Sequence, residues 1–161
     1  MNFRCQVNQA LDGEHRATLD LLVRVEQSFA RAPAPAPQDF GRLASSLGHH
    51  VERDIDRHFA FEERELFPRL VEAGAGDLVE LLMEEHRAIR EVTAELLPCA
   101  RAAAAGPLDG TQAAAFKRSA LELVERLRAH IDKETVALLP EIDNVLDDDA
   151  DRELALGYAE V

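Results

Sequence analysis

A chain of 161 residues, 47% of them hydrophobic, is long enough to bury one core without disulfides and has a globular composition. Its formal net charge of −13 argues against a nucleic-acid or anionic-membrane surface, since both need clustered Lys and Arg. It has no Trp, one tyrosine (Tyr158) and no apolar run near the ~20 residues of a membrane span, so base stacking and bilayer crossing are disfavoured.

The opening "MNFRCQVNQALDGEHRA" has no continuous apolar stretch of the signal-peptide kind. Cys5 and Cys99 form neither a CxxC nor a disulfide framework, and a reducing cytoplasm is the expected location. In the first segment Leu11, His15, Thr18, Leu22, Val25 and Phe29 follow a 4-and-3 spacing, which lays them on one stripe of a helix. "RAPAPAPQD" (31 to 39) ends that helix, because alternating prolines remove donors and restrict the residue before each.

The second segment repeats the stripe with Ala44, Leu47, Val51, Ile55, His58 and Glu62, and stops at the glycine turn "EAGAGD" (72 to 77). The third carries Leu82, His86, Ile89, Thr93, Leu96 and Ala100; Asp77 with Glu80 has capping-box spacing at its start, and Pro98 should kink or weaken it. After "AGPLDG" (105 to 110), Asp109 with Gln112 again has capping-box spacing. The fourth stripe is Phe116, Ala120, Leu123, Leu127, His130 and Glu134. Residues 147 to 161 form an acidic tail with room for a short helix and no evident chemistry. The expected fold is all-α: one domain over 1–161, an antiparallel up-down-up-down four-helix bundle over about 8–146, and the tail.

The chain reads as two repeated helix hairpins. A shift of 71 aligns "LDGEHRA" (11 to 17) with "LMEEHRA" (82 to 88), and a shift of 72 aligns "HFAFEERELFP" from His58 with "HIDKETVALLP" from His130. His15 is 16 residues before Arg31, His58 is 19 after Asp39, His86 is 19 before Ala105, and His130 is 19 after Thr111. In an up-down bundle these distances put the four histidines at one height, to within a turn of ~5.4 Å. Glu62 and Glu134 follow one turn later on the same stripes.

Six polar groups thus occupy seams meant for apolar side chains. A single seam histidine is ordinarily a hydrogen-bonded core residue; four with two glutamates are metal ligands. Two core carboxylates cost several kcal/mol per ion unless a cation compensates them. Imidazole with carboxylate suits iron, zinc or manganese. The set exceeds one tetrahedral site and divides in two: His15 with His58, His86 with His130, and Glu62 and Glu134 bridging. His49, His50 and Glu65 are expected in solvent or in local hydrogen bonds. No nucleophile–base pair or Gly-rich phosphate loop is present, so a metal and small-ligand binding protein is expected ahead of a turnover enzyme.

His15, "HFAFE" (58 to 62), His86 and "HIDKE" (130 to 134) resemble the hemerythrin-like family in its HHE cation-binding branch, over roughly residues 8 to 146. The resemblance implies two iron ions in a non-haem di-iron centre inside a four-helix bundle. Oxygen-carrying hemerythrins have a second third-helix histidine where this chain has Arg90, and a fourth-helix Asp after a longer gap, whereas here Glu134 is four residues from His130. Those differences point away from simple oxygen carriage and towards the iron-centre repair proteins of the branch, which carry a cysteine-bearing N-terminal segment that this chain has no room for before His15. Ferritin-like sites use Glu-x-x-His, the reverse order. The expected function is to bind, sense or scavenge dioxygen, nitric oxide or peroxide; the alternative is iron delivery or repair of damaged iron–sulfur or di-iron centres. The sequence names no protein partner.

Overall fold

The computed structural model describes residues 3–30 and 37–159. α1 is Gln6–Ala30. α2 runs unbroken through Pro37–His49, a π-helical stretch His50–Ile55, Asp56–Phe61, a second π-helical stretch Glu62–Leu66, and Phe67–Glu72. α3 is Gly76–Ala105. α4 joins Gly110–Lys133, a π-helical stretch Glu134–Leu138 and Leu139–Val145. α5 is Asp148–Ala159. Among the described residues there is no strand, and no helix is long and apolar enough to cross a membrane.

Neighbouring helices in the chain are neighbours in space: α1 packs on α2, α2 on α3, α3 on α4, and α4 back on α1. This is the up-down-up-down ring expected from short connections. Gly41 lets α2 lie close to α3, since a Cβ there would stand 3.2 Å from the Ala103 carbonyl oxygen. The turn between α2 and α3 uses Gly74 at φ +96°, a conformation open to glycine without a Cβ clash.

Local signals fared unevenly. Asp109 closes a capping box with Gln112, accepting its N–H at 2.8 Å while the Gln112 side chain takes the Asp109 N–H at 3.1 Å. Asp77 does not cap α3. It lies inside the first turn without a cap hydrogen bond, behind an N-cap at Ala75, and acts there as a negative charge at the positive helix end. α3 runs through Pro98 to Ala105. α2 starts at Pro37, where a missing N–H costs nothing because first-turn donors have no intrahelical partner. Of the proline-rich break, residues 31–36 lie outside the described residues.

The apolar stripes form two cores. One contains Leu22, Leu47, Ile89, Leu96, Phe116 and Leu123. The other contains Leu11, Leu66, Leu70, Leu82, Leu138 and Ile142. In each helix of the ring the stripe passes from one core to the other through histidine: His15 between Leu11 and Leu22, His86 between Leu82 and Ile89, His58 between Ile55 and Leu66, His130 between Leu127 and Leu138. The six polar groups make a layer across the middle of the bundle.

The repeated proline has a structural counterpart. In both halves a π-helical stretch begins at the stripe glutamate: the Phe67 N–H reaches back to the Glu62 carbonyl, and the Leu139 N–H to that of Glu134. Pro68 and Pro140 then stand in the first turn of the resumed α-helix, where their missing donors are harmless.

Residues 148–159, read from the sequence as part of an acidic tail, form α5 and pack against α1. Asp151 is buried and accepts the Gln6 N–H at 2.8 Å and the Val7 N–H at 3.0 Å. Asp143 takes the N–H groups of Arg4 and Cys5, each at 2.9 Å. Carboxylates from α4 and α5 thereby satisfy the donors that α1 leaves free at its start. Asp151→Ala should lower the stability of the metal-free protein by about 1–3 kcal/mol. A shift in urea midpoint at unchanged slope is the measurement; no shift would show that α5 does not cap α1 in solution.

Candidate metal centre

His15, His58, Glu62 and Glu134 form one buried group, and Glu62, His86, His130 and Glu134 a second; within each, one donor atom per residue lies inside 4.8 Å of every other. His15 Nε2 is 3.2 Å from His58 Nε2, and His86 Nε2 is 3.1 Å from His130 Nε2. Each glutamate turns one oxygen to each pair. Glu62 Oε1 stands 3.3 Å from His58 Nε2 and its Oε2 3.4 Å from that of His86. Glu134 Oε2 is 3.1 Å from His15 Nε2 and its Oε1 3.0 Å from that of His130. All six residues named from the sequence meet at one place.

Side chains that the sequence reading passed over hold the far nitrogens of the rings. His58 Nδ1 lies 3.1 Å from Glu14 Oε2, His130 Nδ1 3.0 Å from Glu85 Oε2, and His86 Nδ1 2.8 Å from Glu63 Oε1. An ionised carboxylate only accepts, so each Nδ1 donates and each Nε2 keeps its lone pair for the centre. The carboxylates are paired in turn: Glu14 with Arg57, Glu85 with Lys133, and Glu63 with Arg90 at 2.7 Å. Arg90 therefore serves the His86 ring from behind. Tyr158 donates to Glu14 Oε2 at 2.5 Å, its ring beneath the Arg57 guanidinium at 4.6 Å.

A signal for two of these existed. Glu14 and Glu85 occupy matching places in the "EHRA" fragments, one residue before each histidine. Glu63 follows Glu62 on what reads as a solvated helix face, and Tyr158 has no repeat counterpart. His50 finds local partners, Thr18 Oγ1 at 2.9 Å and Asp54 Oδ2 at 2.8 Å, while His49 and Glu65 are exposed.

The donor set calls for a cation. Glu62 and Glu134 are each 0% exposed, and their carboxylate oxygens face the site imidazoles with no other hydrogen-bond donor. With Nδ1 donating outwards, the Nε2 lone pairs and these oxygens face one another, which is repulsive unless a proton or a metal ion lies between them. In the metal-free protein protons take that place. Burial by itself lowers the His86 pKa, but bonds to Glu134 and Glu62 outweigh it and bring it up to about 9. His58 and His130 rise as well: burial again opposes, and the Glu62 charge at His58 and the Glu134 charge at His130 prevail. Burial raises the Glu14 pKa, yet bonds from His58 and Tyr158 hold it at about 2. The fit to a divalent ion with nitrogen and oxygen preference is good.

An open cavity of about 460 Å³ is walled in part by His15, His58, His130 and Glu134, with Thr18 and His50 also along it. It comes to the centre from the side of α1 and α2.

Since protons occupy raised-pKa imidazoles, they compete with metal below about pH 9 and metal binding must release them. Cobalt(II) affinity, measured against a chelator of known pH dependence, should climb as the pH rises towards about 9, where the His86 imidazole gives up its proton. A flat profile would mean that the imidazoles are already bare.

The chain matches the model described as "Hemerythrin HHE cation binding domain" over residues 6–142. No curated protein and no solved structure gave a match. Helical bundle, buried His and Glu clusters and matched residues agree: this chain belongs to the hemerythrin HHE cation-binding domain family.

Proposed function

We propose that the protein is a cytoplasmic non-haem di-iron protein that binds, senses or scavenges dioxygen, nitric oxide or peroxide. The observation that carries this reading is the set of four Nε2 atoms around two buried glutamates whose oxygens have no hydrogen-bond donor besides those imidazoles. His15 and His58 would hold one ion, His86 and His130 the other, with Glu62 and Glu134 spanning both. A ferrous pair, when bound, supplies electrons and open coordination positions to a small diatomic or to peroxide. Zinc or manganese also fits the donors.

The chain's own residues govern how such a centre behaves. Neutral imidazoles donate less charge than carboxylates, so a four-histidine set favours the ferrous state more than a carboxylate-rich one does. Glu14, Glu85 and Glu63 fix three of the rings and raise their basicity. The apolar cores above and below keep bulk water from the ions, while the cavity beside His15 and His58 admits a small molecule.

The same cavity favours a second reading, iron delivery or repair of damaged iron centres, because an ion next to it can leave by it. Retention of iron in the presence of an apo iron–sulfur acceptor would count against delivery.

Protein loaded anaerobically with ferrous iron should develop near-ultraviolet and visible bands on exposure to dioxygen, nitric oxide or peroxide. A spectrum indifferent to all three would end the proposal. His58→Ala and Glu134→Ala should each lower metal content and the stabilisation that metal brings, about 2.7 kcal/mol for one site at free metal a hundredfold above Kd. Metal-free melting should fall by less than the metal-loaded protein loses, since one member of a buried imidazole–carboxylate set is removed. Equal destabilisation with and without metal would show these residues to be structural.

A further inference from the structure

Three of the four imidazoles are held from behind, and His15 is the exception: its Nδ1 is buried without a hydrogen-bond partner. The repeat explains why. Glu14 serves His58 and its counterpart Glu85 serves His130, so that relation survives in both halves. Glu63, the residue after Glu62, serves His86 and is itself tied to Arg90. A shift of 72 places Thr135 where Glu63 stands, after Glu134, and a shift of 71 places Leu19 where Arg90 stands. The carboxylate that would serve His15 is missing from the second half, and the cation that would pair with it is missing from the first.

An imidazole whose far N–H is bound to a carboxylate has its tautomer and ring orientation set for metal and is the more basic ligand. Both imidazoles of the His86–His130 group have this support; in the His15–His58 group His58 alone does. To present a bare Nε2, His15 must put its proton on an Nδ1 that meets no acceptor, and a buried donor left unpaired is costly. The cavity is lined by both His15 and His58 but by His130 alone of the other pair, so an ion between His15 and His58 has the more open route to solvent.

We infer, granting the two-ion centre proposed above, that its two positions are unequal: the ion between His86 and His130 binds first and tightly, and the ion between His15 and His58 is weaker and exchangeable. Glu63 is the positioning residue that makes the difference. Loss of such a partner typically lowers metal affinity about 10- to 100-fold, which sets the expected gap between the two binding constants.

The test is an anaerobic cobalt(II) titration of the full chain against a chromophoric chelator, with native mass spectrometry for stoichiometry. Wild type should take two ions in steps separated about 10- to 100-fold, with a one-ion form dominant at one equivalent. His15→Ala should remove the weak step and keep the tight one, and His86→Ala the reverse. Glu63→Thr should weaken the tight step towards the weak one and leave the weak step in place, a split that general loosening of the bundle would not produce. Should that variant fail to fold, the wild-type steps and His15→Ala decide. Two equal constants, or equal weakening of both steps by Glu63→Thr, overturn the inequality and leave the two-ion centre standing. Fewer than two ions in wild type overturns both.

Discussion

Four oxygen atoms, two each on Glu62 and Glu134, lie in the middle of an apolar bundle with no partner but four imidazoles, and the rest of the molecule is arranged around that fact. An uncompensated carboxylate at such depth would cost several kcal/mol, more than a buried leucine contributes at about 1.5–3 kcal/mol. Positive charge must therefore reside among these oxygens in every state of the folded protein. Protons on raised-pKa imidazoles supply it in one state, and metal ions in the other.

That requirement orders the residues outward in shells of alternating charge. Around the central carboxylates come imidazoles, then Glu14, Glu85 and Glu63, then Arg57, Lys133 and Arg90. Charge alternation of this kind lets buried ionisable groups coexist, since each has an opposite or dipolar neighbour at hydrogen-bond distance. The two apolar cores hold the helices in register so that the shells meet. The first half completes the pattern around His86, and the second leaves His15 outside it.

The bundle and its centre were largely legible because helical periodicity makes misplaced polar residues conspicuous. His15, His58, His86 and His130 interrupt apolar stripes, and their equal distances from the crossing loops fix a common height. Glu62 and Glu134 follow from i, i+4 geometry alone. The outer shells were not legible for the opposite reason. Glu63, Arg90 and Lys133 stand on faces where charged residues are ordinary, and only packing decides that these particular ones turn inward. Tyr158 arrives on a helix with no periodic tie to the site. Asp77 misled because the helix starts two residues earlier, behind an uncapped Ala75, which leaves Asp77 inside the first turn.

The π-helical stretches at Glu62 and Glu134 carry a consequence for how such a site can be gained or lost. A π turn amounts to one surplus residue in an α-helix, and each residue of an α-helix turns the chain by about 100°. Deleting a single codon between Glu62 and Pro68 would let the helix regularise without touching any donor atom. Because the π turn had absorbed the extra residue, everything downstream would keep its facing, and Leu70 would stay on the core it now fills. Such a turn is thus gained or lost by altering reading length, while the helix beyond it keeps its packing.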